Sequence, residues 1–212
     1  MTPNDGLQLI QSYFPQLSEQ QQQQFLALDA LYRDWNSKIN VISRKDIDNL
    51  FVHHILHSLA IAKFINFKPS TQIIDVGTGG GFPGIPLAIM FAQCSFMLDD
   101  RTGKKITVAR SIAEEIGLTN VEFFHGDVAE IKHRYDFAVS RAVMETAALV
   151  KLIKKNIKSE CINALPNGLI CLKGGELDAE IGSLKSRAIV DNLSTYFNED
   201  FFETKRIVYI QI

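Results

Sequence analysis

The 212-residue chain predicts an α/β fold with a mainly parallel sheet. The first observation is Ile73-Ile74-Asp75-Val76 running straight into Gly77-Thr78-Gly79-Gly80-Gly81-Phe82-Pro83-Gly84. It reads as a buried strand, a glycine loop and the start of a helix. The second is the pattern after Thr71, where short apolar runs alternate with helix-length periodic runs through short links. The third is the last apolar run, Ile207–Ile210. It follows Ile189–Asn192 after a turn-like stretch too short for a crossover helix, so it should lie antiparallel.

Taken in order, Pro3 to Pro15 reads as a short helix. Ser18 with Gln21 forms a capping-box start for a second helix, whose apolar stripe is Phe25, Leu28, Leu31, Tyr32 and Trp35. The glutamine run from Gln20 to Gln24 lies inside that periodic pattern and is expected to be helical surface. After a polar link, a third helix is expected from about Asp46, with Ile47, Leu50, Phe51, His54, Ile55, Ser58 and Leu59 on one face. Lys68-Pro69-Ser70 breaks the chain into an N-terminal helical portion, residues 1–67, and an α/β domain, residues 68–212. Strands are expected at Gln72–Val76, Ser95–Asp99, Val121–Phe124, Phe137–Ser140, Leu169–Leu172, Ile189–Asn192 and Ile207–Ile210. Helices are expected at Phe82–Phe91, Gly103–Ile116, Met144–Ile157 and Glu176–Ser186.

Composition narrows the function. Apolar residues make up 46% of the chain, enough for a sizeable core, and the formal charge of -2 advertises neither nucleic acid nor membrane globally. Basic residues cluster locally instead, at Arg101, Lys104, Lys105 and Arg110, and again at Lys151, Lys154, Lys155 and Lys158. A solvated helix face is the default for either run alone. Cys94, Cys161 and Cys171 are odd in number and widely spaced, which suggests reduced thiols with neither a disulfide frame nor a metal site. No signal peptide pattern or 18-residue apolar run is visible, so a cytoplasmic protein without a membrane segment is expected.

The glycine loop admits two frames. Gly79-x-Gly81-x-x-Gly84 fits a dinucleotide fingerprint. Gly77-x-Gly79-x-Gly81, with Asp75 two residues upstream, fits the S-adenosylmethionine (SAM) loop, and it puts its first glycine at the strand end. In either frame, backbone amides and the helix N-terminus should meet a polar ligand. Asp99 and Asp100 end the second strand, where a carboxylate can accept ribose hydroxyls. The outer Asp100 is taken as that acid, although two adjacent acids leave the choice open. Val128 and Ala129 follow the third strand and could border an adenine ring. Arg141 ends the fourth, where its fork could face a carboxylate or phosphate, with a plain surface arginine as the equal alternative. His53 and His57 are four apart but lack the Glu and third ligand of a zinc helix. His54 falls in the apolar stripe as a hydrogen-bonded packing histidine. No hydrolase elbow or phosphate-binding Gly-Lys-Ser/Thr loop occurs.

These residues resemble a known family. Trp35-Asn36, His54-Ile55-Leu56-His57-Ser58-Leu59, the loop Asp75 to Pro86, Lys104-Lys105, Ser140-Arg141-Ala142 and Leu172-Lys173-Gly174 are similar to the bacterial 16S ribosomal RNA guanine-N7 methyltransferase G family. That family is also called glucose-inhibited division protein B. The resemblance implies a Rossmann-like class I SAM-dependent methyltransferase fold, with seven mostly parallel strands and one antiparallel. It implies methylation of guanine N7 in the 530 loop of 16S rRNA, on the small subunit or an assembly intermediate, by a monomer. SAM-binding positions carry over to Gly77, Gly79, Phe82, Val128, Ala129 and Arg141, with Asp100 at the ribose. Arg141 and Lys173 are expected near the acceptor, and Arg44, Lys45, Lys104 and Lys105 on RNA phosphates. The chain departs from the family's pattern at His57 (usually Asp), Arg101 (usually Ser) and Gln211 (usually basic). A nicotinamide-dependent oxidoreductase and a catalytically inactive RNA-binding module are the alternatives.

Overall fold

The computed structural model describes residues 1–141, 144–175 and 177–212, with side chains for all of these except Asp178, Ala179 and Ser183. Ala142 of the Ser140-Arg141-Ala142 motif, and Glu176 at the expected start of the last helix, lie outside the described residues. The chain forms α1 (Pro3–Tyr13), α2 (Glu19–Lys38), α3 (His57–Phe64), β1 (Gln72–Val76), α4 (Gly84–Met90), β2 (Ser95–Asp100) and α5 (Gly103–Glu115). These are followed by β3 (Val121–His125), β4 (Phe137–Arg141), α6 (Thr146–Ile153), β5 (Gly168–Gly174), α7 (Asp178–Ile181), β6 (Ala188–Asn192) and β7 (Lys205–Gln211).

The strands make one seven-stranded sheet in the order β3-β2-β1-β4-β5-β7-β6. β1 to β5 run parallel, and β7 inserts antiparallel between β5 and β6, as the short link before it required. The order reverses between β1 and β4, the place where an open α/β sheet leaves a crevice at its carboxyl edge. Ser140 Oγ, at 2.9 Å from the Val76 carbonyl, ties the ends of those two strands together there.

The sheet is buried on both faces. On one, Ile10, Phe25, Leu28, Tyr32 and Leu59 of the N-terminal helices share an apolar cluster with Ile73, Phe82, Ile85 and Phe137. On the other, Leu149, Val150 and Ile153 of α6 pack on Ile74, Ala138 and Leu169. Each such Val, Leu, Ile or Phe side chain contributes roughly 1.5–3 kcal/mol on burial.

Helix α2 begins at the Ser18–Gln21 capping box read from the sequence. Its glutamines are not all surface, however. Gln21 Nε2 donates to the Ile89 and Met90 carbonyls, and buried Gln24 donates to Ile116 O at 2.9 Å. The ends of α4 and α5 leave carbonyls without intrahelical partners, and these amides take them.

The third helix departs from regular α-geometry. Ile47–Asn49 is a single 3₁₀ turn and Leu50–Leu56 is a π-helix, with α-geometry resuming only in α3. The expected last helix is also shorter: α7 covers Asp178–Ile181 and a 3₁₀ segment carries on to Arg187. Among the described residues, no helix is long and apolar enough to cross a membrane.

Candidate active site

The glycine loop lies at the carboxyl edge of the sheet. Gly77, Gly79 and Gly81 all hold positive φ, of 69°, 59° and 108°. Those conformations disfavour any residue with a Cβ, which accounts for glycine at every second position. The strand ends at Val76, so Gly77 is the first residue beyond it, in agreement with the Gly77 frame.

Asp75 holds the loop from inside. Its Oδ2 accepts from Thr78 Oγ1 at 2.6 Å and from the Gly84 amide at 2.7 Å. The Ile85 and Leu87 amides bond to Gly81 and Pro83 carbonyls. Pro86 has no amide to offer, so the first turn of α4 presents none to a ligand. The expectation that this helix N-terminus meets the ligand is therefore corrected: the buried Asp75 carboxylate occupies it. Asp75 Oδ1 is buried without a partner among the described residues, and burial pushes the carboxyl up to about 7.

Asp100 closes the loop from the next strand. Its Oδ2 accepts the Gly79 amide at 2.9 Å, and its Oδ1 accepts the Thr102 amide at 2.7 Å. A carboxylate has about four lone-pair sites, so these bonds leave acceptor capacity for hydroxyls. Asp99, the residue before it, lines a cavity together with Val76 and Val128. Its Oδ1 is buried and has no partner among the described residues, and burial, with the Asp100 and Asp75 charges, pushes its carboxyl up to about 7.

Two cavities meet at Gly77 and Asp100. One, of about 260 Å³, is walled by Val76, Asp99, Arg101, Val128, Met144 and Leu152. The other, of about 330 Å³, is walled by Val41, Gly79, Phe82, Lys105 and Arg141. A further cavity of about 380 Å³ lies at the opposite end of the sheet, beside Gln72, Ser95 and Val121, far from the glycine loop. Asp127 caps the Val128–Glu130 turn by accepting the Ala129 amide, and its other oxygen pairs with Arg101 at 2.6 Å. Arg101, which stands where the resembled family usually has Ser, therefore clips the β2 and β3 loops together.

Arg141 sits over the Phe82 ring, 5.0 Å from its centroid. Its Nη1 donates to the His53 carbonyl at 3.2 Å, and its Nη2 lies 3.1 Å from His54 Nδ1. Burial lowers its pKa to about 10, which still leaves it charged at neutral pH. Tyr32, missed as a site residue because it falls on the helix stripe, stacks on Phe82 at 4.6 Å and donates to Gly80 O at 2.8 Å. The sequence marks Asp46 only as a helix start. It bonds both His53 Nδ1, at 2.6 Å, and His54 Nε2, at 2.8 Å.

The other expected residues divide. Lys105 lines the second cavity while Lys104, Arg44 and Lys45 are exposed. Lys173 is held by Met144 O, at 2.5 Å, and Glu180, at 2.7 Å, so it pins α7 to the start of α6. In the second basic run, Lys155 donates to Ala129 O and Lys158 pairs with Asp136. His57 is buried against Phe201 and Phe202 with no partner for Nε2 among the described residues, and burial holds it well below its ordinary pKa.

Comparison with known proteins decides the family. Residues 21–208 match the family model described as rRNA small subunit methyltransferase G. The chain belongs to that family. A Phocaeicola vulgatus protein of the same name is 61% identical, over 97% of this chain and 99% of its own. A Parabacteroides distasonis protein of that name is 57% identical, over 99% and 91%. A solved precorrin-6y C5,15-methyltransferase from Geobacter metallireducens shares the fold alone. It has a TM-score of 0.54 at 9% identity, over 82% of this chain and 92% of that one. Membership makes the protein a SAM-dependent methyltransferase, and the nicotinamide frame is set aside.

The residues fit SAM. The first cavity has apolar walls for an adenine and carboxylates for ribose hydroxyls. The second carries the cations Lys105 and Arg141, and the Arg141 fork suits an amino-acid carboxylate. At Gly79 a Cβ would meet none of the described residues within 4 Å, so the backbone there stands open to the cavity.

Proposed function

We propose that the enzyme methylates N7 of a single guanine in the 530 loop of 16S rRNA, acting in the cytoplasm as a monomer on the small subunit or an assembly intermediate. Within it, residues 1–67 form a helical portion and residues 68–212 the SAM-binding domain. Val128 and Ala129 border the adenine and Asp100 takes the ribose. Gly77, Gly79, Phe82 and Arg141 receive the methionine end. Arg44, Lys45, Lys104 and Lys105 meet RNA phosphates, with Lys105 nearest the reacting centre.

The observation that carries the N7 reading is the state of the basic groups around Phe82. His54, the nearest imidazole, has both ring nitrogens engaged, one by Arg141 and one by Asp46. Burial and the Arg141 charge hold it neutral, with a pKa lowered to about 4. No imidazole there is poised to receive a substrate proton, and N7 needs none to do so. Guanine N7 carries an in-plane lone pair and no proton at neutral pH. When bound, SAM supplies an electrophilic methyl on sulfur. The chain's work is to hold nucleophile and methyl in line, a positioning effect worth several kcal/mol. Lys173, held by Met144 O and Glu180, supports the wall of the site instead of touching the acceptor.

The test is the single-turnover rate with small subunits and SAM saturating, measured from mildly acidic to mildly alkaline pH. A flat profile, unchanged in shape in His54→Ala, is expected. An acid limb that vanishes in His54→Ala would place proton transfer in the reaction and overturn this reading.

A further inference from the structure

The Arg141 guanidinium is held in an unusual way. A buried arginine normally meets a carboxylate. Here Nη2 meets an imidazole nitrogen and Nη1 a backbone carbonyl, while the charge of Asp75 acts on the guanidinium without a hydrogen bond to it and Asp46 lies behind His54. An Arg N–H is always a donor, so His54 Nδ1 must be the acceptor and carry no proton. The ring proton then sits on Nε2 and is donated to Asp46 Oδ2 at 2.8 Å. Asp46 Oδ1 takes the His53 Nδ1 proton at 2.6 Å and an Asn49 amide hydrogen at 3.2 Å. His53 in turn stacks on Phe201 at 3.9 Å and 15°. The π-helical turn at Leu50–Leu56 brings two consecutive histidines onto one carboxylate. π-helical turns recur at functional sites.

We propose that Asp46 and His54 are positioning residues for the methyl donor. Asp46 fixes the tautomer of His54, and His54 fixes the Arg141 guanidinium over Phe82 without neutralising it. A carboxylate in direct contact would quench the charge of Arg141. A neutral imidazole orients the fork and leaves that charge for the carboxylate of SAM. Without Asp46, the ring can put its proton on Nδ1, donor against donor, and Arg141 is released. This inference rests on the assignment of Arg141 to the methionine end.

The test uses two ligands that share an adenosyl part. S-adenosylhomocysteine carries the amino-acid carboxylate and 5′-methylthioadenosine does not. In Asp46→Ala and His54→Ala, affinity for S-adenosylhomocysteine by calorimetry should fall about tenfold or more, and affinity for methylthioadenosine should stay within about twofold. Arg141→Lys should show the same split, and adding Asp46→Ala to it should produce no further loss, because Asp46 acts through the arginine fork. Retained methylthioadenosine binding also certifies that each variant is folded. In the wild-type protein, ¹⁵N-histidine NMR should show His54 protonated at Nε2 alone, a reading that needs no variant. A proton on Nδ1, equal losses for both ligands, or additive losses in the double variant would each overturn the proposal. Wild-type protein that binds neither ligand would instead overturn the cofactor site itself. That outcome is distinct from wild type binding both while the variants lose neither.

Discussion

Gly79 allows the cofactor loop to be tested with an internal control. It holds φ 59°, and a Cβ built there meets no protein atom within 4 Å. Gly117, just beyond α5, holds φ 69° and is equally open. Alanine at either position therefore carries the same penalty, the left-handed strain of a residue with a Cβ, about 1–2 kcal/mol. For a chain of this length that is a fall in Tm of roughly 2–8 °C. The two differ only in what the methyl faces. Gly79 lines the cavity shared with Phe82 and Arg141, while Gly117 lies outside both cavities of the site. Gly79→Ala should thus lose at least about tenfold in SAM affinity by calorimetry, or 1.4 kcal/mol, and Gly117→Ala none, at matched loss of Tm. Equal SAM affinity in the two variants would refute the reasoning, because it would mean that the open space at Gly79 is not where the ligand lies.

Further outcomes follow from the acids and the lysines. Asp100→Ala should weaken SAM about tenfold or more, since a bond to a charged acceptor contributes roughly 1.5–3 kcal/mol, and a larger effect from Asp99→Ala would reassign the ribose to the inner acid. Replacing Lys104 and Lys105 together by Ala should lower affinity for small-subunit RNA and flatten its salt dependence, whereas a salt slope equal to wild type would reject them as phosphate contacts. Asp75 gives a pH signature in stability. Its carboxyl rises from 3.8 unfolded to about 7 folded, so its contribution is complete below pH 3.8 and is lost as pH rises through 7. The Tm of the wild type, measured against Asp75→Asn, should fall across that window and level off above it. Parallel curves would show that Asp75 titrates normally.

The glycine loop, the sheet and the antiparallel last strand were legible because each rests on local chemistry. Ile73 to Val76 has no room for anything but a strand before Gly77, and β1 begins and ends where the sequence placed it. What escaped the sequence depends on partners distant in the chain. The π-helical turn keeps the apolar stripe of an ordinary helix, so nothing in Leu50 to Leu56 announces that His53 and His54 share Asp46. Gln24 looks like surface until Ile116 brings its carbonyl against it. Lys155 and Lys158 look like a solvated helix face, yet Ala129 O and Asp136 take them. The helix amide at Gly84 looks free for a ligand until Asp75, nine residues earlier, is seen folded back under it.

The central claim concerns one atom of one base, and it can be read directly. Small subunits lacking the modification are incubated with the purified enzyme and methyl-labelled SAM. The RNA is then extracted and treated with borohydride and aniline, which cut the strand at 7-methylguanosine. The account predicts a single new cleavage within the 530 loop, in an amount that matches the label incorporated before scission. Label on another atom, which leaves the strand uncut, or cleavage outside that loop would contradict it.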